Sequence, residues 1–167
     1  MIKDSTHAII TDWQEKADEN IYAGITLIND SLLEPGGILI WLGIEQLAKM
    51  AIIVRGILNK KYMIKDNGKI LSQLDAISKS ITKGGHGHKF ITEGMGDIIM
   101  LTEDEIKCIE VTHDLFERRY LKDEMFVYSL RWLVVTKNIR NKLRLYLSGK
   151  SINIESRYDV QINEWRG

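Results

Sequence analysis

A chain of 167 residues that balances 23 basic against 23 acidic side chains has zero formal net charge, so no whole-molecule field draws it onto nucleic acid. It is long enough for one domain to bury a core without staples. Its single cysteine, Cys108, excludes an intrachain disulfide framework and fits a cytoplasmic setting. The first thirteen residues lack the charged lead, apolar run and small-residue cleavage site of a signal peptide.

Pro35 is the only proline, and long stretches with helical periodicity predict an all-α chain. The first helix is expected over about Thr6–Leu33, where Trp13, Ala17, Ile21, Ile25, Ile28 and Leu32 form one apolar stripe. Glu34-Pro35-Gly36-Gly37 is expected to break it. A second helix over about Ile38–Asn59 is apolar nearly all round and therefore buried. It carries Glu45, Lys49 and Arg55, each of which would cost about 2.5–3.5 kcal/mol near a bilayer centre, so it reads as a core helix and no membrane is expected.

A third helix is predicted over about Ile70–Thr82, before the glycine-rich run from Lys83 to His88. Lys89–Leu101 reads as a short helix interrupted at Gly94 and Gly96. Thr102 with Glu105 forms a capping box for a fourth helix whose inward face includes Ile106, Ile109, His113, Phe116 and Tyr120. Asp123 is expected to cap a last long helix, about Glu124–Leu147, with Gly149 beyond it. Ser151–Trp165 partly alternates, which leaves a β-hairpin, a docking arm or an unstructured end open. The expected architecture is an up-down bundle of about five helices over residues 1–148, with an extended arm or hairpin over 149–167.

The order of short motifs suggests a family. Leu42-Gly43-Ile44-Glu45-Gln46-Leu47-Ala48-Lys49 lies on the buried helix, Gly87-His88-Lys89-Phe90 follows the third helix, and Phe116-Glu117-Arg118-Arg119-Tyr120 comes later. Together these resemble the HEPN family of helical bundles, over roughly Thr11–Leu147. The resemblance implies a homodimer, with RNA or a nucleotide as ligand or a cognate protein as partner. It also implies a toxin–antitoxin, phage-defence or mobile-element setting and marks Glu45, Lys49, His88, Arg119 and Tyr120 as binding residues.

Active HEPN ribonucleases carry an arginine, usually a polar residue after it, and a histidine a few positions on. Arg140 and Asn141 fit, but Leu145 or Tyr146 stands where the histidine belongs, and no histidine follows Arg140. Metal-independent RNA cleavage needs a group that exchanges protons near neutral pH, which histidine supplies at a pKa of about 6.5 and tyrosine, at about 10, does not. The sequence therefore predicts an inactive binding module, with Arg140, Asn141 and Tyr146 as the catalytic set of the rival reading, a divergent ribonuclease.

Lys137, Arg140 and Arg144 recur at i, i+3 and i+7, a basic strip suited to phosphates or simply the solvated side of an amphipathic helix. Glu45 and Lys49 are one turn apart, lining a groove or forming an edge ion pair. His86 and His88 alone are too few for zinc, the glycine run lacks the Gly-Lys-Ser/Thr ending of a P-loop, and no metal or cofactor is expected. His113 and Cys108 read as packing residues. The homodimer expectation also rests on the apolar second helix and on Trp132 and Trp165.

Overall fold

The computed structural model describes residues 2–83, 87–117, 131–150, 152 and 156–165. Among these residues the chain is all-α, a bundle with seven helices and no strand. They are α1 Asp4–Asn29, α2 Leu33–Leu58, α3 Ile70–Ile81, α4 Lys89–Thr92, α5 Glu103–Glu117, α6 Arg131–Ser148 and α7 Asp159–Glu164. Helix α2 is the axis of the core. Ile40, Trp41, Ile44, Leu47, Ala48 and Ala51 on it are fully buried, and α1, α3, α5 and α6 pack around it. By length and mean hydropathy (1.7) α2 could cross a membrane, but 67% of that stretch is buried inside the protein.

The first break in the chain falls earlier than Glu34-Pro35-Gly36-Gly37. Helix α1 ends at Asn29, and Ser31 takes a left-handed conformation at φ 66°. The Leu32 N–H donates to the Leu27 carbonyl at 2.8 Å and the Ser31 N–H to Ile28 at 3.0 Å. That double closure is the motif in which glycine usually stands at the left-handed position, so a serine there hides the stop. Pro35 and Gly36 instead lie in the first turn of α2, where the N–H that proline lacks costs nothing.

Gly24 and Gly43 have a packing role at the contact of α1 with α2. A methyl group at Gly24 would sit 2.6 Å from the Gly36 carbonyl oxygen, and one at Gly43 would sit 2.6 Å from that of Ala17. Gly24 facing Gly36 and Ala17 facing Gly43 give an antiparallel register in which the two backbones touch. Long apolar side chains beside this seam, Ile21, Ile25, Ile28 and Ile40, complete the buried layer.

The capping box forms as the sequence suggests. The Thr102 N–H donates to Glu105 Oε2 at 2.8 Å, and the Glu105 N–H to Thr102 Oγ1 at 3.2 Å. Lys142 on α6 also donates to Glu105 Oε2 at 2.6 Å, tying α5 to α6. The stretch after the glycine-rich run is one helical turn, α4, with Ile91 and Met95 fully buried. The expected cap at Asp123 lies outside the described residues. Gly149 directly follows Ser148, the last residue of α6.

The tail corrects the extended-arm expectation. Residues 159–164 form α7 on α1, and Ile152 and Ile162 are fully buried. The partial alternation that suggested a strand was short, and a helical turn buries Ile162 equally well. Trp132 and Trp165 both pack, partly buried, on this chain's own core.

Candidate functional site

Arg140 and Arg144 were expected on an exposed basic strip, but both are buried, at 2% and 5% exposure. Ile139 and Leu143 beside them are fully buried, and α6 packs on α2 and α5. From α1, Asp18 is fully buried and accepts from Arg140 Nε at 2.9 Å and Nη2 at 2.8 Å, a bidentate pair. Arg144 Nη1 donates to the same carboxylate. From α7, Asp159 accepts from Arg140 Nη2 and, at 3.3 Å, from Arg144 Nη2. Two arginines thus share two aspartates, and the local charge sums to zero.

Burial works against the Arg140 charge, but Asp18 and Asp159 outweigh it and hold its pKa above the ordinary value. Burial pulls the Arg144 pKa down, and the neighbouring Arg140 adds to this; a guanidinium stays protonated regardless. Burial would also push the Asp159 carboxyl up. The hydrogen bonds from Arg140 and the Ser156 N–H, with both guanidinium charges, hold it below its ordinary range.

The tail covers the rest of this face. Arg140 Nη1 donates to Asn141 Oδ1 at 3.0 Å, and Asn141 Nδ2 donates to Asn163 Oδ1 at 3.2 Å. Lys137 donates to the carbonyls of Asn163 and Trp165 at 3.0 and 2.6 Å. Beside Asp159, the Tyr158 ring stacks on Tyr22 of α1 at 5.5 Å between centroids. Lys137, Arg140, Asn141 and Arg144 are therefore brought together, under a lid made by the chain itself.

Tyr146 is not part of this cluster. It lies six residues beyond Arg140, about 120° around the helix, in an apolar groove with Ile98, Ile99 and Met100. Burial raises its pKa further above the ordinary tyrosine value, against the nearby Arg55. At neutral pH it is thus even more completely protonated than a free tyrosine and less available as a general base.

Glu45 and Lys49 form a close ion pair, 2.5 Å, with side chains only 6% and 14% exposed. The pair lines a cavity of about 380 Å³ where α1, α2 and α3 meet. Trp13 and Asn20 contribute from α1, Gln46 from α2 and Asp75 and Ser78 from α3. The two side chains thus satisfy each other as an ion pair and also border this cavity.

His88 caps the start of α4, its carbonyl accepting from the N–H groups of Ile91 and Thr92. Its ring meets His113 edge-on at 5.0 Å, and His113 meets Trp41 edge-on at 4.8 Å. Trp41 Nε1, His88 Nδ1 and His113 Nε2 are buried without hydrogen-bond partners. Burial, and then His113, lower the His88 pKa. His113 packs on the rings of Trp41 and Phe116, but its unpartnered Nε2 departs from the satisfied core histidine that its place on the inward stripe suggests. Arg119, Tyr120 and His86 lie outside the described residues. Cys108 is fully buried against Thr112 and Thr136, and burial pushes its thiol up to about 11. Among the described residues no set of three or more histidine, cysteine, aspartate or glutamate side chains converges to hold a metal ion.

Asp18 and Asp159 are the members of this cluster that the sequence does not single out. The available signal was weak: Asp18 sits beside Gln14 and Ala17 on the buried face of α1, where a charge needs a partner. Comparison of the chain with family models, curated proteins and solved structures finds no match.

Proposed function

We propose that this chain is a non-catalytic, HEPN-like binding module, cytoplasmic and homodimeric, that recognises a nucleotide, RNA or a partner protein in a toxin–antitoxin, phage-defence or mobile-element setting. The observation that carries the non-catalytic part is the state of Arg140. Its guanidinium is spent on Asp18 and Asp159 inside the fold, and Tyr146 lies in a separate groove. A phosphoryl-transfer site needs an acid–base group within hydrogen-bond reach of the reacting oxygen, and no histidine follows Arg140 in the chain.

One cavity supports the binding part of this reading. The cavity beside Glu45 and Lys49 combines a flat ring, Trp13, with amide and hydroxyl groups, which suits a small ligand with a planar polar ring. Dimerisation is supported by exposed apolar side chains, Met100 at 84% and Leu145 at 73%, on one groove.

The test is an RNase assay on purified protein in EDTA, comparing wild type with Tyr146→Phe and Arg140→Ala. No cleavage by any of them is expected. Cleavage by wild type that Tyr146→Phe abolishes would replace this reading with the divergent ribonuclease. Light scattering at micromolar concentration tests the dimer, and a monomeric mass would remove it.

A further inference from the structure

We infer that the face of α6 under the tail is a nucleotide-phosphate site, held shut in cis by Tyr158 and Asp159. Two neighbouring tail residues present a flat ring and an anion. Tyr158 stacks on Tyr22 at 5.5 Å, and the Asp159 carboxylate reaches both Arg140 and Arg144. A nucleotide presents the same pair of groups, a base and a phosphate, and aromatic faces with arginine forks are what recognise them.

The contacts are those of a lid over a charged site. Asp159 is 30% exposed at its side chain, whereas the Arg140 and Asp18 side chains beneath it are at 2% and 0%. Lys137 closes on tail carbonyls, and Asn141 on the Asn163 amide. With the tail lifted, Arg140 and Arg144 would keep Asp18 and lose Asp159, which leaves two guanidiniums on one carboxylate next to the vacated ring of Tyr22. Asp18 keeps the two guanidiniums oriented in the absence of the tail, so the site is preorganised for an incoming phosphate.

This rests on the binding-module reading and adds its regulation: ligand and tail compete for one face. The apparent Kd is the intrinsic Kd divided by the open fraction, so loosening the tail tightens binding.

The experiment uses the full chain and the double variant Tyr158→Ala, Asp159→Asn. Fluorescence anisotropy with a labelled single-stranded RNA oligonucleotide, and a parallel titration with ATP, read binding. The variant is expected to bind at least about tenfold tighter than wild type, since masking scales with the closed fraction. Tightening for RNA alone identifies a polymer site, and equal tightening for ATP identifies a mononucleotide site. Hydrogen exchange on the wild type gives a readout that needs no variant. Saturating RNA or ATP should speed exchange of the 156–165 amides. Unchanged tail exchange in wild type, or a folded variant that binds neither ligand more tightly, overturns the masking. Cleavage of RNA by the variant would instead overturn the non-catalytic reading and leave the masking intact.

Discussion

Asp18 accepts from both Nε and Nη2 of Arg140, at 2.9 and 2.8 Å, and the two side chains are 0% and 2% exposed. Removing one member of such a pair strands the other's charge. Asp18→Ala would leave Arg140 and Arg144 with only Asp159, and should cost about 3–5 kcal/mol of unfolding free energy. Urea denaturation checks this, and a loss below about 1 kcal/mol would mean that the arginines find water instead.

Asp159 contributes on the acid side. Its folded pKa lies below the ordinary value of 3.8. The stability it adds is therefore complete above the unfolded pKa and is lost as pH falls through the folded one. Asp159→Asn should flatten the loss of stability below about pH 4 relative to wild type, as read by thermal melts across that range.

His88 works in the opposite direction along the pH axis. Its folded pKa lies below the ordinary 6.5, through burial first and His113 second. The unfolded chain then takes up the proton more readily, so stability falls as pH drops through about 6.5 and levels off below the folded pKa. Glu110 and Asp114 oppose this shift and Lys89 adds to it. His88→Gln should remove much of the slope between pH 7.5 and 5.5 in thermal melts. An unchanged slope would assign it to other groups.

The α1–α2 seam predicts a sharp contrast between glycines. Gly24→Ala would force its Cβ against the Gly36 carbonyl and the Ile40 side chain, both 2.6 Å away. Overpacking of this kind costs about 1–3 kcal/mol. Gly96→Ala, with nothing within 4 Å, should be near neutral. Equal midpoints for the two variants in urea would count against the close backbone approach.

Ser31 and Lys60 hold left-handed conformations at φ 66° and 58° after α1 and α2, each of which costs about 1–2 kcal/mol for a residue with a Cβ. Ser31→Gly and Lys60→Gly should each stabilise the chain by roughly 0.5–1 kcal/mol, the gain being reduced by the entropy of glycine in the unfolded state. A fall in melting temperature for both would contradict this account of the two helix ends.

Apolar periodicity was enough to read the all-α class and the buried central helix, and the Thr-x-x-Glu spacing to read the box at Thr102 and Glu105, because these depend on contacts within three or four residues. The same local reading brought out Glu45 with Lys49 as a pair one turn apart. What it lacked was the packing of the third helix, which brings Asp75 and Ser78 to the cavity beside that pair. The break before α2 was misplaced because a left-handed serine leaves no sign in the sequence, while Pro35 and Gly36-Gly37 mimic one.

The sequence by itself determined that this chain is a helical bundle with a buried second helix and an arginine–asparagine pair that no histidine follows. Only the tertiary structure decided that Arg140 and Arg144 face inward. Helical spacing places them on one side of α6 but is silent on whether water or Asp18 lies there. The partner is 122 positions away in the chain, and a charge is buried only where a distant opposite charge arrives to meet it.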